Sequence, residues 1–190
     1  MIARLLHAHR NGALDTDELS GLVVDLLIAG FNTISHQLSL ALIAFSYHPH
    51  QWMLLREHPE LGEQAVNEVL RYSPTATIWR HTAADLHHKG LLIPAGTPVH
   101  LSAHAAHRDP HACPDGDTFD ITRGRSTPLL AFGGGAHYCP GAALARTELA
   151  EALTALASRL GPPRITGPVT WRPPVGVSGP ETLPLSFHPL

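Results

Sequence analysis

Apolar residues recur at helical spacing over positions 19–45, through Leu19, Leu22, Val23, Leu26, Leu27, Leu38, Ala41, Leu42 and Phe45. Asp15 stands just ahead with Glu18 three residues on, the arrangement of an N-cap and its capping box. His48-Pro49 closes the run, because the residue before proline avoids the α region. The pattern predicts one helix of about thirty residues, roughly 45 Å long at a rise of 1.5 Å per residue. A helix this apolar on most sides belongs in the middle of a protein. Asp25, Asn32, His36 and Gln37 interrupt it, which argues against a membrane span. Ala29-Gly30 falls halfway along, where glycine costs about 1 kcal/mol against alanine. Close packing against a second helix is one reason to keep it there.

Pro49 and Pro59 each sit where a first helical turn begins. The second of these helices, over 59–72, carries Glu68 and Arg71 on one face and ends at Ser73-Pro74. An acid and a base three apart on a helix are most often a solvated surface pair. Between 78 and 101 short β-prone pieces are broken by Lys89-Gly90 and by Pro94-Ala95-Gly96, as in hairpins. A helix follows over 142–160 with Leu144, Leu149, Leu153 and Leu156 as its stripe, stopped by Gly161-Pro162-Pro163. The tail over 165–190 is rich in proline and glycine, with room for one or two short strands. The expected class is mainly α with small β-sheets.

Length and charge narrow the choices. The 190 residues suit one domain or a piece of a larger one. A formal charge of −3 gives no broad basic field, so nucleic acid is not an expected partner. Two cysteines, Cys113 and Cys139, make no disulfide framework and suit a reducing compartment. The first residues are too polar for a signal peptide, and a soluble cytoplasmic protein without a membrane segment is the expectation.

The chemistry concentrates in residues 132–141, Phe-Gly-Gly-Gly-Ala-His-Tyr-Cys-Pro-Gly. Consecutive glycines bare the backbone, as a loop needs when it lies against a flat, bulky ligand. A cysteine just ahead of a helix start meets unpaired N–H groups and the positive end of the dipole, which favour a thiolate. Such a thiolate can be a nucleophile, a redox thiol or a metal ligand. Elsewhere, His104-x-x-His107 with His111 and Cys113 nearby offers a possible zinc ligand set. His7, His9, His36, His48 and His50 lack ligand spacing and read as surface residues.

The spacing Phe132-Gly133-x-Gly135-x-His137-x-Cys139-x-Gly141 resembles the haem-binding loop of the cytochrome P-450 family, whose cysteine is the axial ligand of haem iron. The resemblance implies haem b as cofactor, with Cys139 on the metal and Phe132, Gly133 and Gly135 in the cofactor loop. It implies His137 and Arg80 on the haem propionates; an arginine's fork suits a carboxylate, and a solvated strand arginine is the alternative. Ala29-Gly30-Phe31-Asn32-Thr33 is similar to the family's central helix. There Ala29 and Gly30 would open a groove over the haem, and Thr33 with Asn32 would face the oxygen site. The family has Asp or Glu where this chain has Asn32, and an amide cannot shuttle a proton as a carboxylate does. Ile34 stands where a small hydroxyl residue is usual, with Ser35 next. Glu68 and Arg71 take the place of the family's buried structural pair. Its third member would be an arginine before a phenylalanine; in the stretch 114–119 that place is held by Thr118, which predicts a weakened network.

The resemblance covers nearly the whole chain but only the C-terminal half of the family, so 1–190 reads as a single partial domain. The implied activity is monooxygenation of a small organic substrate, with electrons from a ferredoxin- or flavoprotein-type partner, since no flavin or nicotinamide fingerprint is present. An incomplete reading frame, pairing with a separate N-terminal half or with itself, and a truncated, haem-poor binding or scaffolding protein all fit the missing half.

Overall fold

The computed structural model describes residues 1–124, 129–172 and 176–189. The chain opens with α1 (Ile2–Arg10), and the predicted long helix is α2 (Thr16–Tyr47). Asp15 Oδ1 accepts from the Glu18 amide at 2.8 Å and Glu18 Oε2 accepts from the Asp15 amide at 2.9 Å, closing the capping box. His48 leaves helical geometry and Pro49 opens α3 (Pro49–Glu57). Pro59 starts a 3-10 turn, Pro59–Leu61, and α4 (Gly62–Tyr72) follows. The single helix expected over 59–72 is thus split, its first turn tightened by a Leu61 amide bond to the His58 carbonyl at 3.0 Å.

Four strands come next: β1 (Ile78–His81), β2 (Leu86–His88), β3 (Leu91–Ile93) and β4 (Pro98–Leu101). Lys89 and Gly90 both have positive φ, and this turn joins β2 to β3 as an antiparallel hairpin. The turn over 94–96 makes no second hairpin. It is tied by its amides to Thr82 and Asp85, which carries β4 past β3 to lie antiparallel to β1, with Arg80 opposite Val99. After α5 (Ala103–Ala106) and a long irregular stretch comes α6 (Ala142–Arg159). The tail holds four short strands rather than one or two. β5 (Arg164–Ile165) pairs with β8 (Leu185–Ser186), and β6 (Thr170–Trp171) with β7 (Pro180–Thr182). Strands of two or three residues are too short to show alternation in the sequence.

The core lies among the C-terminal half of α2, α3, α4 and α6. Phe45 meets Trp52 and Phe119 edge to face at 5.2 and 5.3 Å, and Trp52 donates its indole N–H to the Leu160 carbonyl at 3.0 Å. α4 and α6 approach so closely at Gly62 that a Cβ there would stand 2.9 Å from the Thr154 methyl. α6 buries Ala142, Leu149, Leu153 and Ala157, while Leu144 is exposed and is not part of the stripe its spacing suggested. His48 is half-buried against Phe119, so it is a packing residue and not a surface one.

α2 divides in two. Its second half is buried at Gln37, Leu40, Ala41, Ala44 and Phe45, whereas Leu27, Ile28 and Phe31 are 61%, 58% and 75% exposed. By length and composition alone α2 could cross a bilayer.

Candidate functional site

The loop before α6 is folded on itself by backbone bonds. The Cys139 amide donates to the Phe132 carbonyl at 3.0 Å, the Gly133 amide to Leu130 at 2.8 Å and the Tyr138 amide to Gly135 at 3.1 Å. Gly133 and Gly135 sit at φ +72° and +64°, the left-handed region that side chains disfavour. Cys139 is half-buried three residues before α6, and its carbonyl accepts the Ala142 amide at 3.3 Å. Cys113, by contrast, is fully buried. Phe132 lies half-buried beneath the Arg146 guanidinium, which is 4.4 Å from the ring centroid and donates to Asn67 Oδ1 at 3.3 Å. Arg80 comes to the same place from β1: a Cβ on Gly133 would be 4.0 Å from Arg80 Nη2. The fold therefore brings Phe132, Gly133, Gly135, His137, Cys139 and Arg80 into one neighbourhood, with His137 and Tyr138 exposed.

Ala29, Gly30 and Asn32 lie on the exposed half of α2. A Cβ on Gly30 would meet nothing within 4 Å, so among the described residues no helix packs there. Thr33 donates its hydroxyl hydrogen to the Ala29 carbonyl at 2.7 Å. Ile28, Ala29, Asn32, Thr33 and His36 line a cleft of about 540 Å³ whose other wall is Arg172 and Val177 from the tail. A second concavity of about 640 Å³ runs between α4 and α6, past Glu68, Arg71 and Arg146. Cys139 lines neither of these two clefts.

Below the loop, Arg71 uses all five of its N–H groups. Nε and Nη2 bind Glu68 at 2.7 and 2.8 Å; the remaining three reach the carbonyls of His107, Gly116 and Thr118 at 3.1, 2.7 and 2.9 Å. The pair is buried, with 3% and 2% of the two side chains exposed. Burial works against the Arg71 charge, but the Glu68 hydrogen bonds and charge outweigh it and raise its pKa. Glu68 also accepts the Asp120 amide at 2.9 Å.

The arginine missing at Thr118 is replaced in part from elsewhere, and loosely: the buried Nε of Arg123 makes no hydrogen bond among the described residues. Thr118 contributes its backbone carbonyl, which accepts from Arg71 and also from Arg123 Nη2 at 3.1 Å. Arg123, five residues further on, brings the second guanidinium: its Nε stands 3.4 Å from Glu68 Oε2, and its other nitrogens bind the carbonyls of Pro114 and Asp115. The signal was present, an arginine four residues past the buried Phe119, but no local rule singles out that position.

His107 is not available to the possible zinc set. Its Nε2 accepts the Leu130 amide at 2.8 Å, so Nδ1 carries the proton and donates to the Arg71 carbonyl at 3.1 Å. With both nitrogens committed, it has none left for zinc, and no three-residue metal cluster occurs among the described residues. His107 thus ties α4 to the segment leading into the loop. Burial, reinforced by Arg71, Arg108 and His104, holds its pKa below the usual imidazole range.

A half-buried free cysteine on a side-chain-poor loop at a helix start is an arrangement from which a sulfur can reach a ligand. The family model described as Cytochrome P450 matches residues 1–160, and the chain belongs to that family. It is 54% identical to Luteothin monooxygenase of Streptomyces thioluteus over 96% of this chain and 46% of that protein. It is 35% identical to Nocardicin C N-oxygenase of Nocardia uniformis subsp. tsuyamanensis, covering 98% and 48%. The crystal structure of CalO2 superposes with a TM-score of 0.90 at 35% identity, over 97% of this chain and 47% of that one. P450BioI in complex with an acyl carrier protein ligated to hexadec-9Z-enoic acid gives 0.85 at 37%, over 92% and 46%. The chain spans about half the length of the curated relatives it matches. α2 lies inside the matched region, as a helix of that fold.

Proposed function

We propose that residues 1–190 are one partial domain, the C-terminal half of a bacterial, cytoplasmic haem-thiolate monooxygenase that oxidises a small organic substrate. The observation that carries this is Cys139, half-buried on a loop whose glycines leave a bare surface. The residues fit haem b: a Cβ on Gly134 or Gly135 would meet nothing within 4 Å, and Arg80 stands beside Gly133 where a carboxylate can reach it. Cys139 would hold the iron, His137 and Arg80 the propionates, with Phe132, Gly133 and Gly135 shaping the seat and Ala29 and Gly30 leaving room from α2. When bound, a thiolate-ligated haem supplies oxygen activation. Thr33 and Asn32 would hold hydrogen-bonding groups at the substrate side, and Glu68 with Arg71 would brace the loop's approach. Electrons would come from a ferredoxin- or flavoprotein-type partner.

The residues by which the relatives exceed this chain would pack on its exposed surface, the apolar face of α2 included. The chain exposes 11670 Å², against about 8,800 Å² expected for a folded monomer of 20.4 kDa. The excess of about 2,900 Å² exceeds one side of a standard interface, about 800 Å². The same apolar face supports a second reading, a haem-poor binding or scaffolding protein. One experiment separates them: add haem to the purified chain, with and without the N-terminal half of a relative, then reduce it and add carbon monoxide. A red-shifted Soret band in either mixture supports the monooxygenase; failure to bind haem in both overturns it.

A further inference from the structure

We propose that Gln37 is a positioning residue for the substrate. Through Thr75 its side-chain amide holds the tail wall of the α2 cleft in register with the α2 floor, and so sets the size of substrate the cleft admits. The inference rests on the monooxygenase reading for what the cleft holds, and on this chain's own contacts for how it is held. The floor is Ile28, Ala29, Asn32, Thr33 and His36, all on α2, and the wall is Arg172 and Val177 from the tail. Gln37 stands about one helical turn past Thr33 and is the polar member of the buried half of α2, 2% exposed. A primary amide buried there must spend both of its ends. Both go to one neighbouring segment: Nε2 donates to the Ser73 carbonyl at 2.9 Å, and Oε1 accepts the Thr75 amide at 3.1 Å. A backbone carbonyl only accepts and a backbone N–H only donates, so the side chain has one orientation.

A second link runs from that segment to the wall. The Ser178 amide donates to the Thr75 carbonyl at 2.6 Å, and Thr75 Oγ1 donates to the Ser178 carbonyl. Ala76 forms an antiparallel bridge with Val177. Thr77 donates to the Gly176 carbonyl twice, from its amide at 3.1 Å and from its hydroxyl at 2.9 Å. Val177 therefore reaches the cleft from a short ladder whose other rail is residues 75–77, and Gln37 fastens that rail to α2. Floor and wall also meet where the His36 ring lies on Gly179. That packing contact limits how closely the two approach, but it lacks the directionality by which a hydrogen bond holds a register. The Arg172 amide joins the same part of the tail, donating to the Gly179 carbonyl at 3.3 Å. An apolar side chain of similar length at position 37 would leave the Ser73 carbonyl and the Thr75 amide without this partner. The segment must then shift to regain one, and residues 176–178 shift with it.

The test begins with the 190-residue chain and needs no cofactor. NMR follows the Val177 resonances and the nuclear Overhauser contact between the His36 ring and Gly179. In Gln37→Met the Val177 resonances are expected to move and the His36–Gly179 contact to weaken. Thr75→Val removes only the hydroxyl link to Ser178; it should move Val177 while leaving the Gln37 side-chain amide resonances in place. Val177 resonances that stay put in either folded variant overturn the proposal. In the haem-loaded chain completed by the N-terminal half of a relative, imidazole and 4-phenylimidazole serve as a small and a bulky probe of the cleft. Gln37→Met should shift the ratio of their dissociation constants by about tenfold, the low end for one misfit in a pocket, with the thiolate Soret band retained. A residue that only stabilised the fold would lower the yield of loaded protein and leave that ratio unchanged, which would overturn the assignment. Displaced Val177 in a chain that never shows a thiolate haem band would leave the Gln37–Thr75 tie standing and defeat the monooxygenase reading.

Discussion

Replacing Arg71 with alanine is the sharpest test of the network beneath the loop. The substitution strands Glu68, whose side chain is 2% exposed, with the Asp120 amide at 2.9 Å and Arg123 Nε at 3.4 Å as its remaining partners described here. Removing one member of a buried pair costs about 3–5 kcal/mol. The carbonyls of His107 and Gly116 lose their Arg71 donor as well, whereas Thr118 keeps Arg123. Each buried acceptor left unpaired adds about 1–3 kcal/mol. Against a typical domain stability of about 5–15 kcal/mol, the sum removes most of what holds this chain together. Urea unfolding followed by tryptophan fluorescence measures it, since Trp52 is fully buried. Glu68→Leu/Arg71→Met removes both charges and should recover the ion-pair part of the loss, but not the part owed to the carbonyls. A loss below about 1 kcal/mol in Arg71→Ala would refute the reasoning, as would a double variant no better than the single one.

Three further outcomes follow from other contacts. Gly116→Ala should lower the unfolding midpoint sharply, because the new Cβ would stand 2.8 Å from Arg108 Cα, a backbone atom that cannot swing away; a midpoint within experimental error of the parent would contradict this. His107 binds fewer protons folded than unfolded, so its stabilisation is complete above about pH 6.5 and is lost as pH falls from there through its lowered folded value, at up to about 1.4 kcal/mol per pH unit. The drop in urea midpoint between pH 7.5 and 5.5 should shrink in His107→Gln, and an equal drop in both proteins would assign the acid sensitivity elsewhere. Cys139→Ala should abolish the thiolate haem spectrum and Cys113→Ala should leave it, since Cys113 is fully buried while Cys139 is only half-buried on the loop; a retained band in the Cys139 variant would remove the metal ligand proposed here.

Local chemistry made much of this chain readable. The capping box at Asp15, the proline that ends α2, the Lys89-Gly90 turn and the glycine loop before α6 each act over a few residues, so their residue types suffice to announce them. The Glu68–Arg71 spacing was equally plain, although spacing alone does not tell a buried pair from a solvated one. What sequence could not assign were partners far along the chain. Arg123 joins Glu68 across 55 positions only because the stretch after Phe119 folds back over α4, and His107 meets Leu130 only because the same stretch returns to the loop. His36 looked like one more surface histidine until the tail placed Gly179 against its ring. The division of α2 into a buried and an exposed half is likewise invisible in its even apolar pattern. Hydrophobic spacing records which residues gain by leaving water, whereas the packing of distant segments decides which of them this chain covers.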